Sequence, residues 1–399
     1  MTAPRVAASG RVVLFGATGF TGRLVAEALV RRELGPVLAG RNLGALQSLA
    51  RGLEPLGEVS GVLAADSADP ASVEALVGPG DVLVTTVGPF LKHGLPALRA
   101  AVGQGAHYID STGEPAFIRR VFEEYGPLAE VCGSVLLTAF GYDFVPGNLA
   151  AALALSDAVA AGHEPTAVEV GYYVRGLRGG GPGGGMSGGT RASSAGFLLE
   201  SSHAWRGGRL RGERAAASVR SFEVGGRHRP AISIGGSEHL VLPRQWPALS
   251  DVGVYLGWSG PMSRPLQAAT GVVAAVRAVP LLGAAVSHGV HAVAGRVAPG
   301  STGGPSAEQR APARTWAVAE VWAGGGSRGR GEPVARVEVE GPSPYDLTAE
   351  LMAWAAGELA GGRVSGPGAL GPAEAFGVEG IAGGCASVGL GRAAAQDAG

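Results

Sequence analysis

The sequence predicts an α/β protein: a doubly wound parallel sheet, then a second α+β domain built on an antiparallel sheet. Three observations predict it. Short apolar, β-branched runs alternate with amphipathic stretches through residues 11–139. A glycine-rich turn at 16–22 joins the first run to the first amphipathic stretch. Beyond residue 145 the alternation gives way to longer segments in which apolar and polar residues take turns.

The elements follow in order. RVVLF at 11–15 is a short apolar run that reads as a buried parallel strand. Leu24, Val25, Ala28 and Leu29 then mark one face of a helix over 21–32. Strands are expected at 36–40, 61–65, 81–87, 107–109 and 134–139, with helices at 43–53, 72–77, 96–103 and 115–130 between them. Repeated βαβ units of this spacing make a Rossmann-type domain over 1–145. The second domain, for substrate binding or dimerisation, is expected over 146–343. It carries helices at 148–155, 190–205, 266–279 and 281–293, strands at 167–174, 315–323 and 333–340, and strands and turns over 219–255. A final helix at 346–360 opens a segment, 344–399, expected to return to the first domain; the last 35 residues are Gly/Ala-rich and weakly patterned.

Composition narrows the chemistry. Of 399 residues, 46% are hydrophobic and 16% charged, enough apolar material for large cores. Net charge is −1, so no basic field recruits nucleic acid. Lys92 is the only lysine. A phosphate loop ending in Gly-Lys-Ser/Thr is therefore absent, and so is a Tyr-x-x-x-Lys proton-transfer pair, because Gly88 stands four before Lys92. Cys132 and Cys385 lie far apart, which argues against a disulfide framework and for a cytoplasmic setting. No signal peptide is visible, and the apolar stretch 278–295 is interrupted by Pro280, Ser287, His288 and His291. A transmembrane segment and a metal centre are not expected; peripheral membrane contact and a homodimer are left open.

The sharpest motif is Gly16-Ala17-Thr18-Gly19-Phe20-Thr21-Gly22, between a strand and a helix. Gly16 lets the chain turn, Gly19 lets a pyrophosphate approach the backbone, and Gly22 lets the helix pack closely. Amides at the helix N-terminus then face the phosphate charge. The second strand ends Gly40-Arg41-Asn42, where an NAD-binding chain of this fold usually carries a carboxylate. Arg41 suits a 2′-phosphate instead, which makes NADP(H) the expected cofactor. Asp66, after the third strand, is either an adenine contact or an ordinary turn residue. Val87, Gly88, Pro89 and Phe90 follow the fourth strand and should border the nicotinamide ribose. Lys92 and His93 read as surface residues.

Together these segments resemble the saccharopine dehydrogenase-like NADP-dependent oxidoreductases, and most of all the actinobacterial trans-acting enoyl reductases that work beside polyketide synthases. GATGFTG at 16–22, AGRN at 39–42, TTVGPF at 85–90, YIDSTGE at 108–114, GYDFVPGNLA at 141–150, SGGTRAS at 187–193 and 344–362 carry the likeness. It implies hydride transfer to an enoyl thioester or a related acyl or carbonyl intermediate, free or held on an acyl carrier protein or polyketide synthase. A saccharopine-type imine reductase and a non-catalytic, lipid-associated NADPH-binding protein are the alternatives. Such chemistry needs a proton donor and a partner for the acyl oxygen. Tyr142 is the first candidate and Asp143 the second, both after the sixth strand. Asp110, Ser111 and Glu114 after the fifth strand, and Ser187 and Thr190 in the glycine-rich segment, are candidate substrate contacts.

Overall fold

The computed structural model describes residues 10–177, 201–258, 260–277, 303–324 and 331–393. The chain divides into two compact units, the first running to Val145 and resuming at Pro344–Gly389, the second taking most of the remainder.

The first unit holds six strands in chain order: β1 (Val12–Phe15), β2 (Val37–Gly40), β3 (Gly61–Ala64), β4 (Val82–Thr85), β5 (His107–Asp110) and β6 (Val135–Leu137). The two-residue strand Gly368–Ala369 extends the β6 edge, giving the order Gly368–Ala369, β6, β5, β4, β1, β2, β3. Every pair is parallel. Order therefore reverses between β1 and β4. In open α/β sheets ligands sit across the carboxyl ends at such a reversal. All four residues of β1 are buried, as a strand covered on both faces requires.

Helix α1 (Phe20–Arg31) buries Gly22, Val25, Ala26, Ala28, Leu29 and Val30, the three-and-four spacing expected of one face. The helix Pro344–Ala360 covers that region, and its Glu350 pairs with Arg31 at 2.7 Å and Arg32 at 3.4 Å. The stretch expected as one helix over 115–130 is divided: a π-helical turn, Val121–Tyr125, separates α-helical Pro115–Arg120 from Gly126–Cys132.

Residues 372–387 are more regular than expected. Pro372–Ser387 is helical, with a kink at Gly377 (φ 71°). Its apolar side is mostly Ala and Gly, so no large-residue periodicity announces it. It is held by ring packing: Trp354 lies 4.6 Å from Phe376, and a Cβ on Gly384 would fall 2.3 Å from the indole.

The second unit opens at Pro146, in the first turn of the helix Val145–Ala160. Its sheet contains β7 (Pro165–Arg175), β8 (Ser201–Arg206), β9 (Leu210–Arg214), β10 (Val219–Val224), β11 (Arg227–Ser233), β12 (Asp251–Leu256), β13 (Arg314–Ala323) and β14 (Ala335–Gly341). The order is β10-β11-β12-β7-β13-β14, then Gly391–Arg392, with β8 and β9 attached through β12.

The second sheet is mostly antiparallel, as expected, with one parallel pair among the described residues. The sheet is mixed, because β12 runs parallel to β7 from Asp251↔Ala167 to Leu256↔Tyr172. Parallel neighbours need a crossover, and the connection reaching β12 carries the helix Glu238–Gln245. That helix is short and contains Pro243, so it is hidden among the strand and turn signals of 219–255. One expectation is corrected, at 190–205, expected as a helix. Its described end is strand β8, paired antiparallel with β9. Gly207 (φ 58°) and Gly208 (φ 71°) form the hairpin turn, and two left-handed residues in sequence are what a two-residue hairpin loop demands. The expected helix at 281–293, together with Ser187 and Thr190, lies outside the described residues. Among the described residues no helix is long and apolar enough to cross a membrane.

Candidate functional site

The glycine turn sits at the switch point between β1 and β4. The amides of Gly16 and Ala17 both donate to Ala39 O of β2, at 2.9 and 3.2 Å. Thr86 Oγ1, just past β4, donates to Gly16 O at 3.2 Å. The turn is thereby tied to both neighbouring strands. Gly16 has φ +92°, and a Cβ there would meet Thr86 Oγ1 and Val87 Cγ2 at 2.8 Å. A Cβ on Gly22 would lie 2.1 Å from Gly16 O. Both positions require glycine for the fold itself.

Gly19 differs. Its φ is −68°, and a Cβ there would meet only Gly16 O, at 3.3 Å. Gly19 is the N-cap of α1, and no side chain caps that helix. An uncapped helix N-terminus beneath a bare backbone is a seat for an anion. These residues fit the pyrophosphate of a dinucleotide. Of the other turn residues, Thr18 is half-buried, with Arg23 Nε donating to its carbonyl at 3.2 Å. Thr21 is half-buried, and the Phe20 ring packs edge-on to Tyr345 at 5.1 Å.

Arg41 is exposed at the end of β2. Among the described residues no carboxylate pairs with it. Asn42 serves the fold: its Oδ1 accepts from Ala45 N at 3.0 Å and caps the helix Leu43–Leu53. Asp66 closes a turn, with Oδ1 accepting from Ala68 N at 3.0 Å. Beside it, Ser67 Oγ lies 3.4 Å from His93 Nδ1.

After β4, the Val87 amide donates to Thr85 Oγ1 at 3.3 Å. Gly88 and Pro89 lead into the short helix Phe90–His93. The Phe90 side chain enters the core against Phe117, rings 5.7 Å apart. Glu114, from the loop after β5, holds this helix start. Its Oε1 accepts from Phe90 N and its Oε2 from Leu91 N, both at 2.8 Å. Two of the predicted loops are thus one joint.

Asp110 is wholly buried and accepts from Thr112 N (2.9 Å), Ala139 N (2.9 Å) and Thr138 Oγ1 (2.8 Å). It pins the end of β6 to the end of β5. Burial pushes its carboxyl up to about 6, although these bonds oppose the rise. Ser111 beside it is half-buried.

Tyr142 is buried, at 3% exposure. Its amide donates to Thr348 Oγ1 at 3.0 Å, and that hydroxyl donates to Pro344 O at 2.7 Å. Thr348 is more than two hundred residues away, and no sequence signal connects the two. Asp143 keeps part of its surface open, and burial pushes its carboxyl up to about 7. Its Oδ2 lies over Gly113, where a Cβ would be 2.9 Å away. The two acidic motif loops therefore meet at the carboxyl edge of the first sheet. A separate cleft of about 510 Å³ between the two C-terminal helices, lined by Trp354, Arg363 and Phe376 among others, contains none of the predicted site residues.

Comparison with known proteins agrees with this picture. Residues 12–132 match the family model described as saccharopine dehydrogenase NADP binding domain, which bears out the expectation of NADP(H). A Mycobacterium tuberculosis protein with the provisional name trans-acting enoyl reductase is 34% identical over 194 residues, 48% of this chain and 45% of that protein. A trans-acting enoyl reductase of Mycobacterium leprae is 37% identical over 140 residues, 35% of this chain and 34% of that protein. The chain thus matches less than half the length of these relatives. Among solved structures, apo histidine-tagged saccharopine dehydrogenase (L-Glu forming) from Saccharomyces cerevisiae matches with TM-score 0.56 and 14% identity, over 96% of this chain and 99% of that one. That likeness shows the shared fold.

Proposed function

We propose that this chain, whose residues 12–132 belong to the saccharopine dehydrogenase NADP binding domain family, is an NADPH-dependent reductase of an enoyl thioester or related acyl or carbonyl intermediate in polyketide or lipid biosynthesis. The observation that carries the reading is the turn Gly16–Gly22, tied to β2 and β4 and open at Gly19 above an uncapped helix. The names of the mycobacterial relatives support the choice of an enoyl substrate.

Bound NADPH supplies the hydride. The remaining work falls to the chain. The α1 N-terminus holds the pyrophosphate, and Arg41 holds the 2′-phosphate. Val87, Gly88 and Pro89 border the nicotinamide ribose, on a loop fixed by Glu114. Reduction of an enoyl thioester also needs a proton at the α-carbon and a hydrogen bond at the acyl oxygen. Sequence order favours Tyr142 for this; burial of Tyr142 and the partly open, raised Asp143 favour Asp143. A carboxyl held at about 7 is half protonated at neutral pH, so it can donate. Tyr142, Asp110 and Thr348 then position the Asp143 loop. An acyl carrier protein or polyketide synthase is the proposed source of the thioester.

The test is NADPH oxidation, followed by its near-ultraviolet absorbance, with a panel of 2-enoyl thioesters. Turnover is expected with at least one of them. Turnover only with an amino acid plus a keto acid would transfer the protein to the saccharopine-type reading. Binding of NADPH with no turnover on either panel would refute the assignment as a reductase.

A further inference from the structure

Three basic side chains stand at the ends of β2 and β4, and one of them reaches the loop after β3. Arg41 follows β2, and Lys92 and His93 close the short helix after β4. His93 Nδ1 stands 3.4 Å from Ser67 Oγ, on the loop after β3. Arg41 and Lys92 are exposed, and His93 is half-buried.

Like charges gathered in one place repel, and the nearby acids are already engaged. Asp66 accepts from Ala68 N, and Glu114 spends both oxygens on the amides of Phe90 and Leu91. Burial, then Lys92, then Arg41 hold the His93 imidazole below its usual range, while Asp66 and Glu114 pull the other way. Such a cluster is completed by an anion. In this fold the adenosine half of a dinucleotide lies at these strand ends, and the group that distinguishes NADP from NAD is a dianionic phosphate.

We propose that His93 completes the 2′-phosphate pocket with Arg41, Lys92 and Ser67, and takes up a proton from solvent as the phosphate binds. The inference rests on the dinucleotide reading above and adds to it a specificity residue and a coupling to pH. The imidazole is neutral in the free protein and becomes an imidazolium donor to the phosphate in the complex. NADP affinity then rises as pH falls, by up to about tenfold per pH unit near neutrality, and NAD affinity does not follow.

Titration calorimetry of the whole protein with NADP⁺ and with NAD⁺, in buffers of different ionisation enthalpy, counts the protons exchanged. Near neutral pH, about 0.5–1 proton should be taken up per NADP⁺ and about none per NAD⁺. In His93→Gln the NADP⁺ uptake should vanish or turn into a small release, because the phosphate itself titrates near pH 6 and loses its last proton in a basic pocket. Equal proton counts for NADP⁺ and NAD⁺ in the wild type would overturn the proposal without any variant. So would an unchanged uptake in His93→Gln. In both cases NADP⁺ binds and the dinucleotide reading survives. Absence of binding heat with NADP⁺ would remove that reading, and this inference with it.

Discussion

Gly19→Ala separates the cofactor seat from the fold. The new methyl would meet one backbone atom, Gly16 O, at 3.3 Å, so a shift of a few tenths of an ångström accommodates it. Gly19 has φ −68°, which alanine adopts without strain. Alanine is a poorer N-cap than glycine by roughly 0.5–1 kcal/mol. For a unit of this size that lowers the melting temperature by no more than about 4 °C. Binding should respond far more. The methyl would stand where a pyrophosphate meets the helix N-terminus and would hold it off at least one amide. A hydrogen bond to a charged group contributes about 1.5–3 kcal/mol, so NADPH affinity should fall roughly 10- to 100-fold. Gly22→Ala is the contrasting case. Its Cβ would lie 2.1 Å from Gly16 O and within 3.0 Å of two more backbone atoms, so fold and binding should fail together. Thermal melts beside nucleotide titrations of both variants give the answer. A folded Gly19→Ala protein with wild-type NADPH affinity would refute the placement of the pyrophosphate.

Other expectations follow from the same geometry. Arg41→Ala should weaken NADPH by roughly 10- to 100-fold and leave NADH within about twofold, measured by competitive titration; equal losses would remove its phosphate role. Glu114→Ala strands the amides of Phe90 and Leu91, and should lower stability by on the order of 3 kcal/mol in a denaturant melt. Asp143→Asn should slow single-turnover hydride transfer by 10²-fold or more, whereas the wild-type rate should fall as pH rises through about 7, where the donor loses its proton. The sign for stability is opposite to that of an ordinary ion-paired carboxylate. Because folding raises the Asp143 pKa from 3.8 to about 7, its contribution is fully present at low pH and is lost as pH rises through about 7. Above that pH the Asn variant should therefore melt higher than the wild type.

The first unit was legible because its signals are local. A buried strand, a three-glycine turn and a helix face occupy some twenty consecutive residues, and each boundary is marked by the residue that makes it. The helix Leu43–Leu53 was legible to the residue, since Leu46, Leu49 and Leu53 line one side; that Asn42 caps it is seen only in the structure. The helix Pro372–Ser387 was not, because alanine and glycine bury a face without advertising it. Strand β8 falls in a stretch whose pattern predicts a helix, although Gly207-Gly208 marks its hairpin. The site was legible as motifs and opaque as a constellation. Nothing in the spacing says that Glu114 caps the helix after β4, that Asp143 lies over Gly113, or that Thr348 holds Tyr142. Those relations follow from strand order and helix packing, and each joins residues that sequence periodicity treats as unrelated.

The first sheet is covered in part by the helix Pro344–Ala360, which buries Leu347, Leu351 and Met352. A ribosome delivers that helix some two hundred residues after β6. The nascent nucleotide-binding half must therefore wait with apolar surface bare along α1, β4 and β5 while most of the second unit emerges. Its completion is a late event of synthesis, and a chain released before residue 344 would present that uncovered surface to chaperones and proteases.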